Sequence, residues 1–364
     1  MSRFQFAAIA FAGLTFVIPA APVVSFAAPA AVAQATPEQI FQQGIDYFKN
    51  QQWQEAAQAF RRFILMRPDS AVANYNLGLC NYRLKLYPEA ATAFREAVRL
   101  NPNYYEAWLQ LGNAYDLSGF YNEAIAAYRR ASGIKPDDGQ PYYEMGVAHY
   151  AQRRYDDALA AYRASVQRQP GHFSSQLNLG LTYKQLGREE DALATFAQAT
   201  RASGATAQPY KEMGDIYTKR KQFADARTAY RSAIQIQSNY SDAHLGLGNT
   251  FFNANQYQES LPHYQNAVRY APNSETANLY LADAYRLLKD YPNAATYYRA
   301  ALQIAPRNVD AHYYLGLIYA VQNNRTAAMR EYEALRPLDA EKAQKLLGLI
   351  GNAPASGDKN SIKN

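Results

Sequence analysis

Residues 105–138 read YEAWLQLGNAYDLSGFYNEAIAAYRRASGIKPDD, and this stretch decides the fold. Trp108, Leu111, Gly112 and Tyr115 fall at i, i+3, i+4 and i+7, which is one helical face. Tyr121, Ala124, Ile125 and Tyr128 repeat that spacing after a turn at Ser118-Gly119. Pro136 closes the unit, because a proline lacks the N–H and the backbone freedom to continue the second helix. Two amphipathic helices joined by a short turn are expected.

Outward from this unit the pattern recurs every 34 residues. One line is Gly44, Gly78, Gly112, Gly146, Gly180, Gly214, Gly248, Ala282 and Gly316. A second, 12 residues on, is Ala56, Ala90, Ala124, Ala158, Ala192, Ala226, Ser260, Ala294 and Ala328. Nine units (37–70, 71–104, 105–138, 139–172, 173–206, 207–240, 241–274, 275–308 and 309–342) cover 306 of the 364 residues. Small residues on both lines imply close helix crossings, where a side chain larger than a methyl would cost about 1–3 kcal/mol.

The 31 tyrosines follow the same period. Tyr47, Tyr115, Tyr183, Tyr217, Tyr285 and Tyr319 share one position; Tyr87, Tyr121, Tyr155, Tyr257 and Tyr291 a second; Tyr128, Tyr162, Tyr230, Tyr264, Tyr298 and Tyr332 a third. They read as wedges between helices, with the hydroxyl at the edge of the core. The fifth and sixth units carry Gly204 and Ser238 in place of a closing proline. Within 338–350, Ala343, Leu346, Leu347 and Ile350 share a face behind an N-capping Asp339, as a terminal capping helix requires. Residues 351–364 read as a disordered tail.

The motif Trp108-x-x-Leu111-Gly112-x-x-Tyr115, followed by Ala124, Tyr128, Ala131 and Pro136, resembles the tetratricopeptide repeat. The resemblance implies an all-α fold: an α-solenoid of about nine helix-turn-helix repeats stacked as a right-handed superhelix, whose inner surface comes mainly from the first helices. It implies a non-catalytic scaffold for protein or peptide clients. Carried onto this chain, the inner positions are Phe41, Ile45, Phe48 and Lys49, then Tyr75, Leu79, Tyr82 and Arg83. Leu109, Asn113 and Asp116 follow, then Tyr143, Val147 and Tyr150, then Leu177 and Leu181. That half is aromatic and apolar. Further on the positions turn mixed and charged, with Lys211, Asp215 and Lys219, then Leu245, Asn249, Phe252 and Asn253, then Leu279, Asp283 and Arg286.

The expected partner-binding residues are Phe41, Phe48, Tyr75, Leu79, Tyr82, Arg83, Asn113, Tyr143, Tyr150, Lys211 and Asp215. Tyr75, Tyr82, Tyr143 and Tyr150 are expected to stand exposed as a groove for an extended segment or a glycan. The alternative is that they pack on neighbouring first helices. The carboxylate clamp of co-chaperone members is missing: Phe41, Ile45, Asn76, Glu106 and Gln110 stand at its positions, which disfavours chaperone-tail binding.

Residues 1–35 carry one charge, Arg3, then the apolar run Phe4–Ile18 and an Ala/Pro-rich stretch, the layout of a secretory leader. Cleavage after Ala27 or Ala35 both fit. An uncleaved anchor helix is the alternative, but Pro19 and Pro22 would break it. Removal of the leader would leave no stable membrane span. These readings place the chain in a bacterial periplasm or cell envelope, or in the thylakoid lumen of a photosynthetic bacterium. A scaffold for envelope proteins is the favoured function, with an adaptor for polysaccharide export or cell-wall enzymes as the alternative.

Composition narrows the chemistry. With 48% apolar, 19% charged and 13% aromatic residues the chain is a folded one. The single Cys80 excludes disulfide scaffolds and cysteine-zinc clusters. A net charge of +6 is small for this length and disfavours nucleic acid as a partner. His149, His172, His244, His263 and His312 are scattered, and no phosphate loop, nucleophile elbow or HExxH appears. No enzyme activity, metal or cofactor is therefore expected. The basic clusters Arg61-Arg62, Arg129-Arg130, Arg153-Arg154 and Lys219-Arg220-Lys221 read as solvated faces.

Overall fold

The computed structural model describes residues 35–202 and 204–351. Apart from Ala35 and Gly351, the expected leader and tail lie outside the described residues. The chain divides into two compact units, Met1–Pro170 and Gly171–Asn364. In unit 1 the helices are α1 (Pro37–Lys49), α2 (Trp53–Met66), α3 (Ala71–Arg83), α4 (Tyr87–Leu100), α5 (Tyr105–Leu117), α6 (Tyr121–Ile134), α7 (Gln140–Ala151) and α8 (Tyr155–Arg168). Unit 2 continues with α9 (Phe173–Gln185), α10 (Glu189–Ala199), α11 (Gln208–Lys219), α12 (Phe223–Ile236), α13 (Ser241–Phe252) and α14 (Tyr257–Tyr270). It ends with α15 (Glu275–Leu287), α16 (Tyr291–Ile304), α17 (Val309–Val321), α18 (Arg325–Leu335) and α19 (Ala340–Gly351). Within each unit this is an all-α solenoid of antiparallel pairs, and the described residues contain no strand.

Each pair turns through a residue held at positive φ: Gln51 (60°), Lys85 (62°), Gly119 (81°), Arg153 (60°), Gly187 (72°), Lys221 (58°), Asn255 (58°), Lys289 (63°) and Asn323 (58°). That conformation lets Gln52 N–H donate to the Tyr47 carbonyl at 2.9 Å, and it recurs at every turn. Glycine adopts it freely, whereas a lysine or arginine carries about 1 kcal/mol of strain.

The glycine line has a sharper cause than close helix crossing. A Cβ on Gly78 would lie 2.5 Å from the Phe94 ring, and one on Gly44 would lie 2.9 Å from that of Phe60. From Gly44 to Gly248 the third tyrosine position and its phenylalanine equivalents supply the ring that lies on the glycine, so at these glycines even a methyl is too large; Gly316 meets Leu346 instead. The buried tyrosines also find partners for their hydroxyls. Tyr128 Oη donates to Asn113 Oδ1 at 2.9 Å, Tyr230 to Asp215 at 2.9 Å, Tyr264 to Asn249 at 2.8 Å and Tyr298 to Asp283 at 2.6 Å. Where the ring is Phe60, Phe94 or Phe196, the residue 15 before it is Ile45, Leu79 or Leu181, and no acceptor is needed.

Polar side chains at the Trp108 position play one structural role. Trp108 Nε1 donates to the Pro102 carbonyl at 2.9 Å, and His244 and His312 place Nε2 at 3.0 Å from the carbonyls of Ser238 and Pro306. Cys80 is fully buried, and burial pushes its thiol up to about 12, so it is inert packing. At the far end, Asp339 Oδ1 accepts from Lys342 N–H at 2.9 Å and starts α19, whose Leu346 packs on Gly316. Among the described residues no helix is long and apolar enough to cross a membrane.

Candidate functional site

In unit 1 the first helices lie side by side, α3 against α5 and α5 against α7, so their free faces form one continuous surface. The aromatic half of the expected groove maps here, apart from Leu177 and Leu181 on α9 of unit 2, but much of it is core. Phe41, Phe48, Tyr75 and Leu79 are only 6%, 6%, 7% and 4% exposed. Tyr75 is wedged between Phe94 and Tyr104, with ring centroids 5.7 and 4.9 Å away. Tyr75 corrects the expectation of exposure, and Phe41, Phe48 and Leu79, expected to bind a partner, are core as well, the rings reaching back onto the second helix of their own pair.

Tyr82, Tyr143 and Tyr150 are half-buried and keep part of each ring on the surface. They too have packing partners, Tyr82 on Tyr87 at 5.5 Å, Tyr150 on Tyr155 at 5.2 Å and Tyr143 on Tyr162 at 6.0 Å. These contacts are made within one repeat, to the second helix of the same pair, and the residues remain only half-buried. The Arg83 guanidinium lies 5.7 Å over the Trp53 ring, and Asn113 is engaged by Tyr128.

Two carboxylates share this face. Asp116 on α5 is partly buried, and its Oδ1 is enclosed with no hydrogen-bond partner. Burial pushes its carboxyl up to about 6. Glu144 on α7 accepts a hydrogen bond from Gln140 at 2.6 Å. Burial raises it to about 7, with the charge of Asp116 adding to the push and the Gln140 bond opposing it. The phenol of Tyr82 is raised to about 12 by burial, then by Tyr87 and by the negative potential of Glu144 and Asp116. Among the described residues neither carboxylate has a basic partner.

In unit 2 the same positions are self-satisfied. Lys211 and Asp215, both expected to bind a partner, bridge each other at 2.9 Å, and Asp215 also accepts from Tyr230. Lys184 Nζ lies 2.5 Å from Glu212 and 3.4 Å from Asp215. Burial works against the Lys211 ammonium, but Glu212 and Asp215 outweigh it and raise its pKa. Of the basic clusters, Lys219 and Arg220 bind Glu189 at 2.6 and 2.7 Å and Arg220 also binds Glu190 at 2.5 Å, so that patch is largely compensated within the chain.

Glu144 escaped the sequence reading because it lies between the positions taken as inner-facing. The signal was present in the repeat register: Asp116 with Glu144, and Lys184 with Glu212, are the same two positions 68 residues apart. Among the described residues no group of three His, Cys, Asp or Glu side chains is placed to hold a metal.

No curated protein matches the chain. Among solved structures, the C-terminal part of a TPR repeat-containing protein from Cytophaga hutchinsonii is 17% identical, with 66% of this chain and 99% of that one covered and a TM-score of 0.56. The Pseudomonas aeruginosa pilF protein is 17% identical over 58% of this chain and 96% of its own, TM-score 0.50. MamA is 23% identical over 43% of this chain and 92% of its own, TM-score 0.42. A tetratricopeptide repeat model matches residues 41–105, 143–208 and 245–309, and a second TPR repeat model matches 117–153 and 214–255. With more than half of its length matched, the chain belongs to the tetratricopeptide repeat family.

Proposed function

We propose that this protein is a non-catalytic interaction scaffold that holds an extended segment of a client protein on the first-helix face of unit 1. The observation that carries the reading is the set of half-buried tyrosines Tyr82, Tyr143 and Tyr150 on that face. Each is fixed by packing on a neighbouring ring and is still only half-buried, which gives contact area at low entropic cost. Tetratricopeptide membership supports a binding role. The leader-like residues 1–35 support export, and we place the scaffold in the bacterial cell envelope, serving envelope proteins. The test is a pulldown from native envelope extract with wild-type chain beside a Tyr82→Ala/Tyr150→Ala variant of unchanged helicity. Clients lost from the variant support the reading; identical clients on both move the site off this face.

A further inference from the structure

We propose that the first-helix face of unit 1 receives a cationic side chain, a lysine or arginine of the client segment, between Asp116 and Glu144. The inference rests on the reading that this face binds an extended segment, and it adds the chemistry that such a segment must carry.

The protein supplies its own comparison. Moving two repeats along from Asp116 and Glu144 reaches Lys184 and Glu212, which form an ion pair at 2.5 Å. The same step takes Tyr143 to Lys211 and Val147 to Asp215. In unit 2 two ammonium groups therefore face two carboxylates, and the four-residue cluster is neutral. In unit 1 the position opposite the glutamate carries a second carboxylate, and Tyr143 stands where the other lysine would be. Of the four positions that build the unit 2 cluster, unit 1 thus keeps the glutamate, adds a second carboxylate and supplies no cation.

Three features of the unit 1 position suit a cation from outside. Asp116 Oδ1 is enclosed and lacks a hydrogen-bond donor. Glu144 is oriented by Gln140 at 2.6 Å, so its carboxylate is held in place before a ligand arrives. Tyr82, whose phenol already senses both carboxylates, and Tyr143 and Tyr150 on the flanking helices offer aromatic surface to the aliphatic stem or to a guanidinium plane. A cation lets both carboxyls ionise, whereas beside a neutral or acidic side chain they are held toward their protonated forms.

The experiment uses the full chain and a synthetic positional-scanning library of decapeptides, acetylated and amidated to remove terminal charge, with the retained pool sequenced. A Asp116→Asn/Glu144→Gln variant removes both charges while keeping shape. Glu89→Gln/Glu123→Gln, at exposed first turns of α4 and α6, is the charge-matched control. Arg and Lys should be enriched about tenfold over Gln and norleucine at one position on the wild type and on the control. On the Asp116→Asn/Glu144→Gln variant that enrichment should vanish while aromatic and aliphatic preferences persist. A retained pool without basic enrichment, or an enrichment that survives the variant, overturns the inference and leaves the groove reading standing. A wild type that retains no peptide overturns both.

Discussion

Units 1 and 2 build the same helix pairs with the same turns, share the glycine-ring contact in most repeats, and differ in how they settle one pair of positions. In unit 2 Lys184 meets Glu212. In unit 1 Asp116 stands in the lysine's place beside Glu144, and burial raises both carboxyls. The scaffold accommodates either because the positions, although largely buried, lie outside the glycine-ring contacts that fix each pair. A solenoid can therefore carry a self-satisfied stretch and a charge-deficient stretch on one backbone design, and the deficient one is where a ligand has something to contribute.

The comparison breaks most sharply if unit 2 is made like unit 1. Lys184→Asp leaves Glu212, which is 9% exposed as a side chain, facing a like charge, with Lys211 as the remaining cation. A loss of about 2 kcal/mol is expected, less than for a fully buried pair because Lys184 is a third exposed. It should appear as faster hydrogen exchange across α9–α12 with unit 1 unaffected.

Asp116→Asn/Glu144→Gln tests the converse. Both carboxyls have folded-state pKa values above their ordinary ones, so between about pH 4 and 7 the folded chain keeps protons that the unfolded chain releases. Their contribution to stability is full below about pH 4 and lost as pH rises through about 6–7. Groups that sense them are Tyr82 from α3, Tyr105 from α5 and Tyr128 from α6, all uncharged in that range. His149 on α7 runs the other way, its pKa lowered by burial, so the difference between variant and wild type is the quantity to read. The variant should be more stable by about 1–2 kcal/mol at pH 8, and equal to wild type near pH 4, in thermal melts.

Tyr128→Phe should cost about 1 kcal/mol, since it strands the Asn113 side chain that the phenol serves, whereas the phenylalanine pairs of α2 and α4 carry no such dependence. Smallest is Lys85→Gly, which removes the strain of φ 62° at the α3–α4 turn and should stabilise by about 0.5–1 kcal/mol in denaturant titration, an amount that Gly119 already gives its own turn.

The period of 34, the Gly and Ala lines and the closing prolines made the helix pairs legible, because they encode contacts made inside every repeat. The surface was less so. Tyr75 and Tyr82 fall seven residues apart in one helix, yet Tyr75 is buried and Tyr82 half-open, since what differs is the neighbour each ring meets: Phe94 and Tyr104 for the first, Tyr87 for the second. The pairing of a tyrosine with an Asn or Asp 15 residues earlier was visible in the register but needed the packing to give it meaning. The same holds for Asp116 and Glu144, whose significance lies in the missing counter-charge.

The most direct measurement is a carboxyl carbon-13 NMR titration of the full chain with labelled Asp and Glu. The account predicts that Asp116 titrates at about 6 and Glu144 at about 7, and that Lys184→Ala leaves both unchanged. Midpoints for Asp116 and Glu144 in the ordinary carboxylate range near 4 would mean that the unit 1 face is already compensated or hydrated, and would contradict the account.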